Sequence, residues 1–151
     1  MNDREHLIEI VRNLLSDQKF AVLSSIDKNQ PYPSLICFAE DDNLKHILFY
    51  TSINTQKFKN LQNNPKASIL FDNRTEIAGT ISIGIAISAF GIVEQVMNSE
   101  NDEFEDLRMK FLMKYPSLEK FCDSPDSTAM NFTIQRFSVV SEFENVKNLY
   151  I

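Results

Sequence analysis

Residues 49–71, FYTSINTQKFKNLQNNPKASILF, read without a gap as strand, polar turn, amphipathic helix, Asn-Pro stop and second strand. Proline keeps the residue before it out of helical angles, so Asn64-Pro65 sets where the helix ends. Phe58 and Leu61 give that helix, over 55–62, its buried side. The turn concentrates Thr51, Ser52, Asn54, Thr55, Gln56 and Lys57 within seven residues. Hydroxyls, amides and one lysine thus gather where a helix begins, and free backbone N–H groups at the positive end of the helix dipole favour an anion there. Thr51, Ser52 and Thr55 also suit plain helix capping, which uses the same N–H groups. Lys57 has an equally plain alternative as a solvated helix lysine, like Lys59 and Lys66.

Apolar spacing predicts an N-terminal helix over 3–15 and strands at 20–26, 32–39 and 46–51, with polar turns at 27–30 and 40–43. Pro33 inside the second strand marks it as an edge or a strand start. After the segment that ends in the fourth strand, 67–71, a loop over 72–78 leads to a long strand, 80–96. Its glycines and serines predict bending or bulging. Ser99 is the expected cap of an acidic-start helix running to Lys114, which Pro116 stops. A short helical turn follows at 118–121, and the last strand covers 130–143 with a slip near Arg136. The expected fold is mainly β (α+β): an antiparallel barrel of about six strands with peripheral helices, in a single domain over 1–151.

Several function classes fall away on composition. A formal charge of -6 lacks the clustered Lys and Arg of non-specific nucleic-acid binding. No apolar run approaches the roughly 18 residues of a membrane span, and the charged, amphipathic N-terminus does not read as a signal peptide, so a cytoplasmic protein is expected. Cys37 and Cys122 are far apart in apolar contexts and read as buried thiols. Only Gly79, Gly84 and Gly91 are glycines, which removes Rossmann and Walker phosphate loops. His6 and His46 are too few for a zinc constellation.

Three stretches resemble the pyridoxamine 5'-phosphate oxidase-like, FMN-binding split-barrel family. They are Lys28-Asn29-Gln30-Pro31-Tyr32-Pro33, the whole of residues 49–71, and Ala86-Ile87-Ser88-Ala89-Phe90-Gly91-Ile92-Val93-Glu94. The resemblance implies a split barrel and a homodimer with FMN at the interface. It sets Tyr50, Thr51 and Ser52 beside the flavin or its ribityl chain, and Thr55, Gln56 and Lys57 around the phosphate. Ser34, Leu35 and Ile36 would lie on the strand facing the isoalloxazine ring, and Asn73 and Arg74 would reach the site from either subunit. Ser34 and Gln56 are uncharged where the family's pyridoxamine oxidases carry arginines, leaving Lys57 as the cation. Arg74 also suits a surface ion pair with Asp72 or Glu76, and Tyr50 suits core packing.

The resemblance points to a flavin-dependent oxidoreductase acting on a small molecule, in which the flavin carries the redox chemistry and the protein orients it. The alternative is a non-catalytic binder of FMN, deazaflavin or haem on the same barrel. A third possibility is a barrel without cofactor that acts through its dimer surface.

Overall fold

Lys28 and Asn29 form a two-residue loop with φ of 49° and 77°, the left-handed pair that a tight hairpin needs. In the computed structural model, which describes residues 2–77, 80–82, 84–97, 102–141 and 145–151, that loop joins β1 (Ala21–Asp27) to β2 (Gln30–Ile36). Short β3 (Ala39–Glu40) follows, then β4 (His46–Ser52), α2 (Gln56–Asn63) and β5 (Lys66–Asp72), with α1 (Asp3–Asp17) ahead of them all. Next come a small hairpin, β6 (Thr75–Ile77) with β7 (Thr80–Ser82), and the long β8 (Ile85–Gln95). After α3 (Asp102–Lys114), a 3-10 turn (Pro116–Leu118) and α4 (Glu119–Cys122), the chain ends in β9 (Ser127–Ser141) and β10 (Asn145–Tyr150).

The main sheet has the order β2-β1-β5-β8-β9-β4-β3, with β10 added on β9, and every pairing is antiparallel. Because β3 continues directly from β2, the two outermost strands are one stretch of chain. The sheet therefore closes on itself as a barrel. Its interior is a single apolar cluster that includes Leu23, Phe49, Ile69, Phe71, Phe132 and Phe137. Helix α1 contributes Leu7, Val11, Leu14 and Leu15 to it, and α2 contributes Phe58 and Leu61. Helix α1 leads into the start of β1, whereas α2 lies against the strand's far end, so the two helices close opposite ends of the interior. Helix α3 covers the outside of β3 and β4 through a second cluster built on Leu48, Leu107, Phe111 and Tyr115.

The barrel is the expected one, with more strands than the expected six: two of the expected strands are divided, β6 forms within the expected loop 72–78, and β10 is added at the end. The stretch 32–39 breaks at Cys37 and Phe38, where the Tyr115 hydroxyl accepts from the Phe38 N–H at 3.1 Å and lies 2.9 Å from its carbonyl. A side chain thus takes the peptide groups that a continuous strand would pair. The stretch 80–96 breaks before β8, where Asn73 approaches so closely that a Cβ at Gly84 would overlap its side chain. Asn73 Oδ1 accepts from the Ile85 N–H at 2.6 Å. Strand β9 begins earlier than anticipated, at Ser127, and β10 was not foreseen. The slip near Arg136 is present: Phe90 pairs with Arg136 but Gly91 with Ile134, leaving Gln135 as the bulged residue. The expected cap at Ser99 and the last strand's expected end at 143 lie outside the described residues.

Glu40, expected in an acidic loop, is buried at 4% exposure between Lys110 at 3.4 Å and Lys114 at 3.7 Å. Burial lowers the Lys114 pKa while Glu40 opposes that shift. The Lys114 ammonium also sits 3.9 Å from the centre of the Phe38 ring and donates to the Leu15 carbonyl at 3.1 Å. The Tyr115 hydroxyl lies 2.7 Å from the Lys19 carbonyl as well. One end of α3 thereby ties α1, the β2–β3 break and β3 together. Tyr115→Phe leaves the buried Phe38 N–H without its acceptor and should cost about 1–3 kcal/mol of stability in urea unfolding. An unchanged midpoint would show that the hydroxyl is dispensable.

Candidate functional site

Barrel closure is incomplete along one seam. Ala39 pairs with Leu48 and Glu40 with Ile47. The same register, continued, would set Cys37 opposite Tyr50 and Leu35 opposite Ser52. That pairing does not form: β2 pairs only with β1, and beyond Leu48 β4 pairs only with β9. Two strand edges that form no hydrogen bond with each other flank this seam, carrying Ser34, Leu35 and Ile36 on one side and Tyr50, Thr51 and Ser52 on the other, with the Ser52 carbonyl taken by the Thr55 N–H at 3.2 Å. Edges of this kind are templates for a flat hydrogen-bonding partner. Of these residues Ile36 and Thr51 are buried, whereas Leu35 is 64% exposed.

Helix α2 begins at the end of this seam. Thr55 is its N-cap, with Oγ1 accepting from the Phe58 N–H at 3.3 Å. The same oxygen donates to the Ser52 carbonyl at 2.8 Å and meets Thr51 Oγ1 at 3.1 Å, which fastens the cap to β4. Capping therefore occupies the hydroxyls of Thr51 and Thr55. The backbone N–H groups of Gln56 and Lys57, the first two of the helix, have no protein partner among the described residues.

Lys57 differs from its neighbours Lys59 and Lys66, both exposed. On a helix it shares a side with Asn60 and Leu61, three and four residues on, and both of those are buried. Lys57 is half-buried in consequence, and desolvation lowers its pKa. No carboxylate among the described residues pairs with it. A partly desolvated ammonium beside two open N–H groups is an electropositive spot without an internal counterion, suited to an anion.

Gln56 is engaged differently. Its side-chain amide donates to Asn60 Oδ1 at 2.8 Å, and Asn60 Nδ2 donates to Ser25 Oγ at 3.0 Å. The Ser25 hydroxyl reaches the Tyr32 carbonyl at a long 3.5 Å. Neither Asn60 nor Ser25 stood out in the sequence. A signal existed in α2 itself, since eight residues with only Phe58 and Leu61 apolar must bury a polar side chain to dock.

Tyr50 has its backbone on the seam but its side chain outside it, and Asn73 and Arg74 lie elsewhere. Tyr50 turns toward α3, with its ring 5.0 Å from that of Phe111 and a pKa raised by burial. It lines a cleft of about 240 Å³ with Phe104, Arg108, Cys122 and Ser127. Burial lifts the Cys122 thiol to about 11, which leaves it protonated and unreactive at neutral pH. Asn73 and Arg74 follow the far end of β5, roughly 20 Å from its start next to α2 at the usual strand rise. Arg74 pairs with Asp72 at 2.6 Å. Within one chain, then, nine of the eleven candidates surround the seam and α2, and these two do not.

The chain belongs to the pyridoxamine 5'-phosphate oxidase family, whose model matches residues 7–141. A pyridoxine/pyridoxamine 5'-phosphate oxidase of Pelagibacter ubique is 29% identical over 143 residues, covering 94% of this chain. The chain spans 61% of that relative's length. Among solved structures, a heme binding protein from Mycobacterium smegmatis superposes with a TM-score of 0.81 at 17% identity, over 95% of this chain and 57% of that one. A FAD-binding protein from Mesorhizobium loti gives a TM-score of 0.67 at 16% identity, over 87% and 90% of the two chains. At these identities the two structures show a shared fold. Among the described residues no helix is long and apolar enough to cross a membrane.

Lys57 gives a stability prediction with a definite sign. Its folded pKa lies below the ordinary value of 10.5, so at neutral pH its charge favours the unfolded chain. Lys57→Met should raise the thermal midpoint of the ligand-free protein by up to a few degrees. Stability of the wild type rises with pH as Lys57 is neutralised, so the difference should vanish above pH 10.5. A destabilised Lys57→Met at neutral pH would mean that the ammonium has a partner.

Proposed function

We propose that this member of the pyridoxamine 5'-phosphate oxidase family binds FMN along the open seam and, as a homodimer, acts as a flavin-dependent oxidoreductase on a small molecule. The observation that carries this reading is Lys57, half-buried with no acid beside it among the described residues, next to the unpaired N–H groups of Gln56 and Lys57 at the start of α2. A phosphate there gains one ammonium and two backbone donors. The unpaired edges of β2 and β4 supply alternating donors and acceptors to the ring system along the seam. When bound, FMN supplies the redox chemistry, and the protein orients it and excludes water.

The donor set fits a phosphate, with one departure. Ser34 and Gln56 bring no charge, so the cradle depends on Lys57. Two missing guanidinium contacts amount to several kcal/mol at roughly 1.5–3 kcal/mol for each charged hydrogen bond. Compensation by a second subunit is part of the proposal. Leu35 and Leu70 are 64% and 42% exposed, and both pair with Val22 from opposite sides, forming an apolar row across three strands. A second copy seated on that row would bring its own groups toward the seam. Asn73 and Arg74, remote within one chain, are the residues proposed to come from the partner.

FMN is favoured over haem because His46 begins β4, at the opposite end of that strand from Ser52 and α2, and His6 lies on the exposed side of α1. The curated relative is named as an oxidase of pyridoxine and pyridoxamine 5'-phosphate. Oxidation of a small phosphorylated amine is accordingly the first activity to assay.

Purified protein should be yellow, or take up added FMN to about one per subunit, and Lys57→Ala should weaken binding about ten- to hundredfold in a fluorescence-quenching titration. A colourless preparation that takes up no FMN contradicts the proposal. Leu35→Asp with Leu70→Asp should shift the mass in analytical ultracentrifugation from dimer to monomer and lower FMN affinity with it. A wild type that sediments as a monomer yet holds FMN tightly would remove the partner's role. Catalysis requires that bound FMN be reduced by NADH, NADPH or an amine substrate and reoxidised in repeated cycles; one slow, unselective reduction would mark a binder instead.

A further inference from the structure

We infer that Asn60 is a positioning residue for the cofactor phosphate, acting through Gln56 and Ser25 to hold the first turn of α2 against the β1–β2 wall. The inference rests on the FMN reading above. Asn60 is 2% exposed and Ser25 1% exposed, and an unsatisfied amide at such depth would be strongly unfavourable. Here both ends of the amide are used, with the oxygen accepting from Gln56 and the nitrogen donating to Ser25. The direction of donation is consistent along the chain of groups, because Ser25, having accepted from Asn60, has its own proton for the Tyr32 carbonyl.

What the chain of groups connects gives it a purpose. One end is Gln56, whose backbone N–H is the first open donor of α2. The other end is Ser25, paired across the sheet with Tyr32, two residues before Ser34 on the edge of the seam. On the opposite side, Thr55 is fastened to Thr51 and Ser52 of β4. The helix start is thus braced against both walls of the seam at once. Asn60 lies one helical turn, about 6 Å, from Gln56, so slack at Asn60 is transmitted directly to the N–H groups. The donors keep their aim only if that turn is held in place, since hydrogen bonds weaken steeply as their angle falls below about 120°.

Comparison of FMN with riboflavin isolates the phosphate. Fluorescence-quenching titrations of Asn60→Ala and of the milder Ser25→Ala should show FMN affinity lowered about tenfold, with riboflavin affinity changed less than about twofold. Ser25→Thr, which keeps the hydroxyl, should retain the wild-type ratio. Equal losses for both ligands would reduce Asn60 to a general stabiliser and overturn the inference, as would an unchanged ratio in Ser25→Ala. If wild type binds FMN and only the ratio fails to move, the positioning role alone is wrong. If wild type binds neither ligand, the cofactor reading falls first and this inference with it.

Discussion

Closure of the barrel hangs on two residue pairs, Ala39 with Leu48 and Glu40 with Ile47, and on the fact that pairing goes no further. Two facing residue pairs are a weak clasp alone, and the structure reinforces them from outside. Glu40 is held by Lys110 and Lys114, while Tyr115 takes the Phe38 peptide groups just before β3. A buried ion pair contributes little net stability, because desolvation offsets much of the attraction. Its effect here is directional: any shift of α3 would leave Glu40 buried without a partner, which fixes α3 over β3. The same Tyr115 contact that anchors the clasp diverts the chain out of strand geometry at Phe38. Closing the barrel at Ala39 and opening the seam before it are two results of one arrangement.

The seam gives α2 its significance. A helix of eight residues is marginal by itself and depends on docking. Phe58 and Leu61 supply its apolar contacts, and the Thr55 and Asn60 hydrogen bonds set its rotation. That rotation carries Lys57 toward the buried side, with no acid beside it among the described residues, and leaves the first two N–H groups open. The ligand-free protein therefore holds a mildly unfavourable charge at the helix start, and a bound phosphate would relieve it. Sites that are poised in this way trade stability for affinity.

Local chemistry made part of this legible in the sequence. Residues 49–71 fold as read because capping, helix spacing and Asn-Pro are all decided by neighbours a few residues apart. The slip near Arg136 followed from the change of phase between Phe132, Ile134 and Phe137, Val139, and the edge character of β2 from Pro33. What escaped depends on distant partners. The break at Phe38 comes from Tyr115, 77 residues later, and the burial of Asn60 from Ser25, 35 residues earlier. No periodicity reports such contacts. Lys57 could be named from its motif, but its partial burial is a property of the assembled surface. Family resemblance grouped Asn73 and Arg74 with the others, while strand length alone separates them from α2 in one chain.

In this proposal the seam and the start of α2 form one ligand site. Amide chemical-shift mapping of isotope-labelled protein titrated with FMN addresses it directly. The largest changes are expected at the Gln56 and Lys57 amides, with a second group at residues 34–36 and 50–52. Changes confined to the groove that Arg4 and Leu7 of α1 form with Lys147 and Tyr150 of β10, or to the cleft under α3 with Gln56 and Lys57 unmoved, would contradict it.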